Sequence, residues 1–262
     1  MQKEMKIITA LVTPFNPDLS INYHMVDQLI ERQIAEGADG IVIGGTTGEA
    51  HLLDKQEMYE LYHYVVKYAK RIPIYLGVGS ASTNETLKLI KRFNHLDVAG
   101  FLVVVPYYVL PPQKGLIKHF QLLSEASEKP LILYHIPKRT GITLTLDSLA
   151  KLKSCSRITM IKEACLDKKR LSKLKKLLPW EIMLGDDSLF LWGIRNRIDG
   201  IISVISNSHL SLMKQCLRNR KQWKEYRLAL ALLKGYPNPV GIKVLLKKMG
   251  FSVGSVRLPL CE

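Results

Sequence analysis

Short apolar runs and longer amphipathic stretches alternate along most of the chain. The apolar runs lie at 7–13, 40–43, 74–77, 101–105, 131–135, 159–162, 181–185 and 201–204. Most are rich in Ile, Val and Leu, as parallel strands buried on both faces are. Between them, 23–36 places Val26, Leu29, Ile30 and Ile34 at helical spacing and stops at Gly37, a natural C-cap. The stretches 55–70, 83–93, 113–127, 146–152, 167–178 and 188–194 follow the same plan. Strands alternating with helices over about 200 residues predict an α/β fold of the closed (β/α)₈, or TIM-barrel, type. An open doubly wound sheet would want a Gly-rich phosphate turn after its first strand, and Thr13-Pro14-Phe15-Asn16 is not one. Three further helical stretches, 209–219, 221–235 and 240–250, exceed what a barrel needs. The expected organisation is therefore a catalytic barrel over 1–208 and a small, shortened C-terminal helical appendage over 209–262. No linker, low-complexity run or clear repeat divides them, so both belong to one structural unit.

Composition narrows the class. With 262 residues, 47% hydrophobic and 23% charged, the chain has ample core material and no signature of disorder. No apolar run reaches the roughly 18–20 residues needed to cross a bilayer. The start, Met1-Gln2-Lys3-Glu4-Met5, lacks the apolar core of a secretory leader. A soluble, cytoplasmic protein is expected, with no membrane partner. Cys155, Cys165, Cys216 and Cys261 form no C-x-x-C pair and have no His at zinc-ligand spacing, which predicts free thiols and no metal.

The net charge of +15 is uneven: residues 1–131 carry 13 Lys/Arg against 14 Asp/Glu, and 132–262 carry 25 against 9. A basic half invites a nucleic-acid partner. Yet Lys168, Lys169, Arg170, Lys173, Lys175 and Lys176 interleave with Leu171, Leu174, Leu177 and Leu178, as on the solvated face of a helix. No nucleic-acid partner is expected, and attraction of small anions is the simpler use of the field.

Barrel enzymes keep their chemistry at the C-terminal ends of the strands. There the chain carries Gly44-Gly45-Thr46-Thr47-Gly48-Glu49, Pro106-Tyr107-Tyr108, Tyr134-His135-Ile136-Pro137-Lys138-Arg139-Thr140-Gly141, Ile161-Lys162-Glu163-Ala164 and Gly185-Asp186-Asp187. Lys162 is the most informative residue. It follows Ile158-Thr159-Met160-Ile161, where an ammonium loses hydration and its pKa falls. Bringing it near 7 would cost about 4–5 kcal/mol and yield an amine able to attack a carbonyl. Pairing with Glu163 is geometrically poor, because neighbouring strand residues face opposite sides. Tyr134 and Tyr108 offer phenols that the Thr46 hydroxyl can join in a proton-carrying chain. The Gly-rich turn at Thr46 and Thr47 lets backbone N–H groups converge on a carboxylate, and Arg139 can grip a second one. Singly, a strand-end tyrosine is more often a wall residue, and an arginine more often a solvated one.

Together these stretches resemble the dihydrodipicolinate synthase/N-acetylneuraminate lyase family of class I aldolase-type barrels. The resemblance runs from Ala10-Leu11-Val12-Thr13-Pro14-Phe15 through Val256-Arg257-Leu258-Pro259-Leu260, with the five motifs in family order. It implies that Lys162 forms a Schiff base with pyruvate and that Tyr134 donates and accepts protons. It implies that Thr46 and Tyr108 complete the relay, Tyr108 coming from the neighbouring subunit of a tight dimer. Thr47 and the backbone of Ile202 would hold the pyruvate carboxylate, and Gly185 would line the same pocket, with no metal or organic cofactor. Thr46-Thr47 and Arg139-Thr140-Gly141 resemble the synthase branch, in which the Arg binds L-aspartate 4-semialdehyde. That implies condensation with pyruvate to the cyclic precursor of lysine and diaminopimelate. Another pyruvate-dependent aldolase, acting on sialate or a keto-deoxy sugar acid, and a catalytically silent paralogue are the alternatives.

The chain departs from the pattern at a few positions. His135 replaces a usual Asn and Lys138 a small residue, and both are expected to alter the aldehyde pocket. At positions resembling a lysine-feedback site, Tyr107 and Glu85 are kept while Ala81 and His51 differ, so weak or absent lysine inhibition is expected. The chain stops soon after Arg257-Leu258-Pro259, where relatives usually continue through another helix. The expectation is a homodimer, with the tetramer left open.

Overall fold

Period-two burial along the apolar runs has one outcome here: every run becomes a strand with one face inside a barrel and the other under the helices. The strands are β1 (Lys6–Ala10), β2 (Gly40–Ile43), β3 (Ile74–Gly77), β4 (Gly100–Val104), β5 (Leu131–His135), β6 (Ile158–Glu163), β7 (Glu181–Leu184) and β8 (Gly200–Ser203). Each pairs in parallel with the next, and β8 with β1, so the sheet closes as a (β/α)₈ barrel. The computed structural model describes residues 4–262; Met1 to Lys3, on which the leader expectation partly rests, lie outside the described residues.

The helices are α1 (Tyr23–Ala35), α2 (Lys55–Val65), α3 (Thr83–Phe93), α4 (Gln113–Ala126), α5 (Pro137–Thr140) and α6 (Leu146–Lys151). They continue with α7 (Lys168–Leu177), α8 (Phe190–Arg195), α9 (Ser206–Arg218), α10 (Trp223–Ala231) and α11 (Val240–Lys248). Side-chain caps set several starts: Asn22 accepts from the Met25 N–H, and Asp54 and Glu57 form a reciprocal capping box. The helix expected over 55–70 tightens into a 3₁₀ turn at Val66–Tyr68. The sequence pattern misses α5, whose four residues are too few for a periodic signal; Pro137 starts it and Gly141, at φ +74°, ends it. Helix α9 spans the expected boundary at 208/209 and packs on β1 and α1.

Two apolar layers result. Ile7, Ile41, Leu76, Phe101, Leu133 and Ile182 face the helices. Ile8, Val42, Leu102, Ile132, Met183 and Ile202 fill the barrel. Burying each such side chain contributes about 1.5–3 kcal/mol. Among the described residues no helix is long and apolar enough to cross a membrane, and all four cysteines are free.

The C-terminal segment is tied to the barrel by a buried ionic cluster. Lys243 of α11 sits 2.6 Å from the Glu49 carboxylate, with both side chains inaccessible to solvent. The Lys243 ammonium also donates to the Ser255 carbonyl, and the Arg257 N–H donates to the second Glu49 oxygen at 2.9 Å. Arg257 in turn holds Glu57 of α2. Glu49 closes the turn that carries Thr46 and Thr47, so this cluster anchors the β2 loop from behind. Removing one partner leaves a buried charge unpaired, which costs about 3–5 kcal/mol. Lys243→Met is expected to lose that much stability in urea unfolding, and adding Glu49→Gln is expected to restore part of it. A single variant as stable as the parent would contradict this.

Candidate active site

Strand parity brings the chemistry inward. On β6, Met160 and Lys162 share the barrel face while Ile161 and Glu163 point outward. Lys162 is 5% exposed and lies in register between Tyr134 on β5 and Met183 on β7. Its amine sits 4.3 Å from the centroid of the Tyr134 ring. Burial lowers its pKa from 10.5 to about 8; the Asp187 carboxylate opposes that shift and the Arg139 charge adds to it. The shift is smaller than a value near 7, because a buried counter-charge offsets part of the desolvation. It corresponds to about 3 kcal/mol.

Tyr134 is buried by the same apolar wall, which pushes its phenol up to about 12, and the Thr46 hydroxyl opposes the shift. The phenol therefore keeps its proton near neutrality and can donate it. Thr46 reaches this place because the chain turns sharply after β2. Gly44 has φ +69°, and a Cβ there would stand 2.0 Å from the Tyr62 hydroxyl oxygen. Gly77 is equally constrained, since its Cβ would meet the Gly44 carbonyl at 2.0 Å. Thr46 and Tyr134 line a cleft of about 320 Å³ together with His51, Tyr107, Arg139 and Leu102.

The remaining residues singled out from the sequence fall into place unevenly. Thr47 is buried, and its hydroxyl accepts from the Asn238 amide at 3.1 Å. Ile202 lies in the inner apolar layer. Gly185 lies against Ala164, 2.7 Å from where its Cβ would be, so β6 and β7 approach closely beside Lys162. Arg139 is exposed on α5, lines the cleft, and donates to the Asn238 carbonyl at 3.2 Å. Tyr108 does not join Thr46 and Tyr134 within one chain. It is 90% exposed at φ +71°, and Tyr107 takes the place on the cleft wall. Among the described residues no group of three His, Cys, Asp or Glu side chains is placed to hold a metal ion.

His135 corrects an expectation. It faces away from the cleft, fully buried between barrel and helices, because it has the parity opposite to Tyr134. Its Nδ1 lies 2.6 Å from Glu163, and its Nε2 accepts from the Leu144 N–H at 3.1 Å, so the ring proton sits on Nδ1. Glu163 also accepts from Arg170 at 2.9 Å and from the Cys165 N–H at 3.0 Å. This network clamps the ends of β5 and β6, the strands bearing Tyr134 and Lys162. Lys138 is exposed on α5, outside the cleft lining.

Asp187, which the sequence offers only as part of the Gly185-Asp186-Asp187 turn and with no role of its own, acts on the Lys162 amine through its charge. It is buried, accepts from the Val204 and Ile205 N–H groups at 2.9 and 3.0 Å, and burial raises its pKa. Two adjacent aspartates at a strand end read as a solvated turn, and no local pattern distinguishes the buried one.

Comparison with known proteins gives a consistent result. Residues 3–262 match the profile of the dihydrodipicolinate synthetase family. The 4-hydroxy-tetrahydrodipicolinate synthase 1 of Halalkalibacterium halodurans is 36% identical over 267 residues, covering 97% of this chain and 90% of that protein. The crystal structure of dihydrodipicolinate synthase from Aquifex aeolicus superimposes with a TM-score of 0.92 at 32% identity, covering 99% of this chain and 92% of that one. A structure described as the first monomeric dihydrodipicolinate synthase variant matches with a TM-score of 0.88 at 28% identity, over 98% and 91% of the two chains.

The lowered amine pKa predicts a pH profile. Only the neutral amine attacks a carbonyl, so imine formation at Lys162 with a small carbonyl reagent should rise about tenfold per pH unit and level off above about 8. Trapping the imine by reduction and weighing the Lys162 peptide measures this. A rate that keeps climbing through pH 10, as for a solvated lysine, would refute the assignment.

Proposed function

The chain belongs to the dihydrodipicolinate synthetase family, and on that premise we propose that it is a lyase, a 4-hydroxy-tetrahydrodipicolinate synthase, joining pyruvate to L-aspartate 4-semialdehyde through an imine at Lys162. The observation that carries the assignment to Lys162 is its buried amine, close to the Tyr134 ring and with no carboxylate in direct contact among the described residues, Glu163 being held by Arg170. Attack of that amine on C2 of pyruvate gives a carbinolamine. Tyr134, on the cleft wall with Thr46, donates the proton that lets hydroxide leave as water. The imine draws electrons from the former keto carbon, so the methyl group gives a proton to the Tyr134 phenolate left by the previous step and becomes an enamine. Its carbon attacks the aldehyde of aspartate semialdehyde, whose oxygen takes that proton from Tyr134 and becomes a hydroxyl. The amino group of that substrate then displaces Lys162 at the imine carbon, closing the ring and freeing the enzyme. Since the imine itself is the electron sink, neither metal nor organic cofactor enters the scheme.

Thr47 and the Ile202 backbone would take the pyruvate carboxylate, with Gly185 leaving room beside them. Arg139, on the outer wall of the cleft, would take the carboxylate of the second substrate as a planar fork. Its exposed position near the cleft mouth supports an aldehyde that arrives after pyruvate is bound. Weak lysine inhibition belongs to the same reading. Glu85 is already engaged by Lys55 and Lys88, and His51 packs against Tyr107 at 5.5 Å.

The exposed Tyr108, followed by Val109 and Leu110 at 56% and 60% exposure, supports a homodimer in which Tyr108 enters the neighbour's relay. Such a contiguous apolar tip is a natural interface element. Four free cysteines suit the reducing conditions of the cytoplasm.

Borohydride reduction with pyruvate is expected to add one pyruvyl group at Lys162 and none in Lys162→Ala. Turnover is expected with aspartate semialdehyde and not with N-acetylneuraminate, and lysine should inhibit it little. Activity on N-acetylneuraminate alone would replace the synthase reading with that of a sialate lyase. Tyr134→Phe should lower kcat by about 10²–10⁴. Sedimentation should show a dimer, and Tyr108→Phe should lower kcat without dissociating it; a fully active monomer would exclude the shared relay.

A further inference from the structure

The chain between α10 and α11 returns to the mouth of the barrel at Pro237-Asn238-Pro239. There Asn238 touches both groups assigned to substrate carboxylates. Its side-chain Nδ2 donates to the Thr47 hydroxyl at 3.1 Å, and its backbone carbonyl accepts from Arg139 at 3.2 Å. The side chain has no other hydrogen-bond partner among the described residues, because Oδ1 is buried and unpaired. Thr47 is itself 2% exposed, so solvent does not orient its hydroxyl.

A hydroxyl has one proton to give and lone pairs to receive. When Asn238 fills a lone pair of Thr47, the Thr47 proton is left to point at another acceptor. In the proposed site that acceptor is the carboxylate of pyruvate. We propose that Asn238 is a positioning residue: by donating to Thr47 it orients the Thr47 hydroxyl as a donor toward the keto-acid carboxylate. It reaches the substrate only through Thr47. It also makes the C-terminal segment part of the substrate site, since the same residue holds Arg139 through its backbone. The inference rests on the assignment of Thr47 to the pyruvate carboxylate.

Two substitutions separate this role from mere packing. Asn238→Ala removes the donor and should raise the KM for pyruvate about tenfold, with kcat nearly unchanged. Asn238→Asp keeps the shape but presents an acceptor, which captures the Thr47 proton and adds a negative charge near the incoming carboxylate. It should therefore bind pyruvate more weakly than the Ala variant, whereas a packing role makes the near-isosteric Asp the milder change. Asp equal to the parent, or Asp milder than Ala, would overturn the proposal. Should the Asp variant fail to fold, the Ala substitution is repeated in a Thr47→Val background. There its effect on pyruvate KM should vanish, and an undiminished effect would count against the coupling. Borohydride trapping of the parent enzyme is run alongside. If pyruvate never attaches at Lys162 the functional reading itself fails, whereas normal trapping with an unperturbed Asp variant rejects only the role of Asn238.

Discussion

One desolvated ammonium governs the arrangement of this molecule. A closed eight-stranded barrel has an interior from which water is largely excluded, and Lys162 projects into it. Among the described residues the Coulombic support available there comes from Asp187, a buried carboxylate further along the rim, and not from an ion pair in contact. The result is an amine that gives up its proton within reach of neutral pH. The same dry wall holds the proton on the Tyr134 phenol, so burial shifts a base and an acid in the directions that imine chemistry requires.

A second buried lysine has the same lowered pKa in different surroundings. Lys243 is also lowered to about 8, yet Glu49 contacts it directly and the Ser255 carbonyl takes a further proton of the ammonium. It lies beside the ring of Phe15, 4.1 Å away, which has no hydroxyl. Its work is mechanical: it pins the turn that carries Thr46 and Thr47 to the C-terminal segment. The two lysines differ in what surrounds them, and on the proposed reading that difference separates chemistry from architecture.

Support for the site comes from behind as well. His135, Glu163 and Arg170 form a sealed polar network on the outer face of β5 and β6. It locks together the two strands that present Tyr134 and Lys162 to the inside. On the opposite side, the C-terminal segment supplies Asn238 at the cleft mouth and Lys243 beneath the β2 turn. The rim is thus held by contacts made on both faces of the barrel wall and by residues far along the chain.

Much of this was legible in the residues themselves. Strand positions follow from apolar runs bounded by turn residues, and their parity alone puts Lys162 and Glu163 on opposite faces of β6. Helix starts follow from local caps such as Asn22 and Asp54. These features are encoded by neighbours within a few residues, where backbone geometry leaves little freedom. The pairing of Asn238 with Thr47, the burial of Lys243 and Asp187, and the outward turn of Tyr108 were decided by tertiary structure. Lys243 does share the apolar stripe of Val240 and Leu246, a cue easily overruled by its charge. Asn238 and Thr47 are 191 residues apart, and hydrogen bonds of that span leave no periodic trace in a single sequence. Local patterns determine which face of a strand or helix a side chain occupies; only the closed fold determines what it meets there.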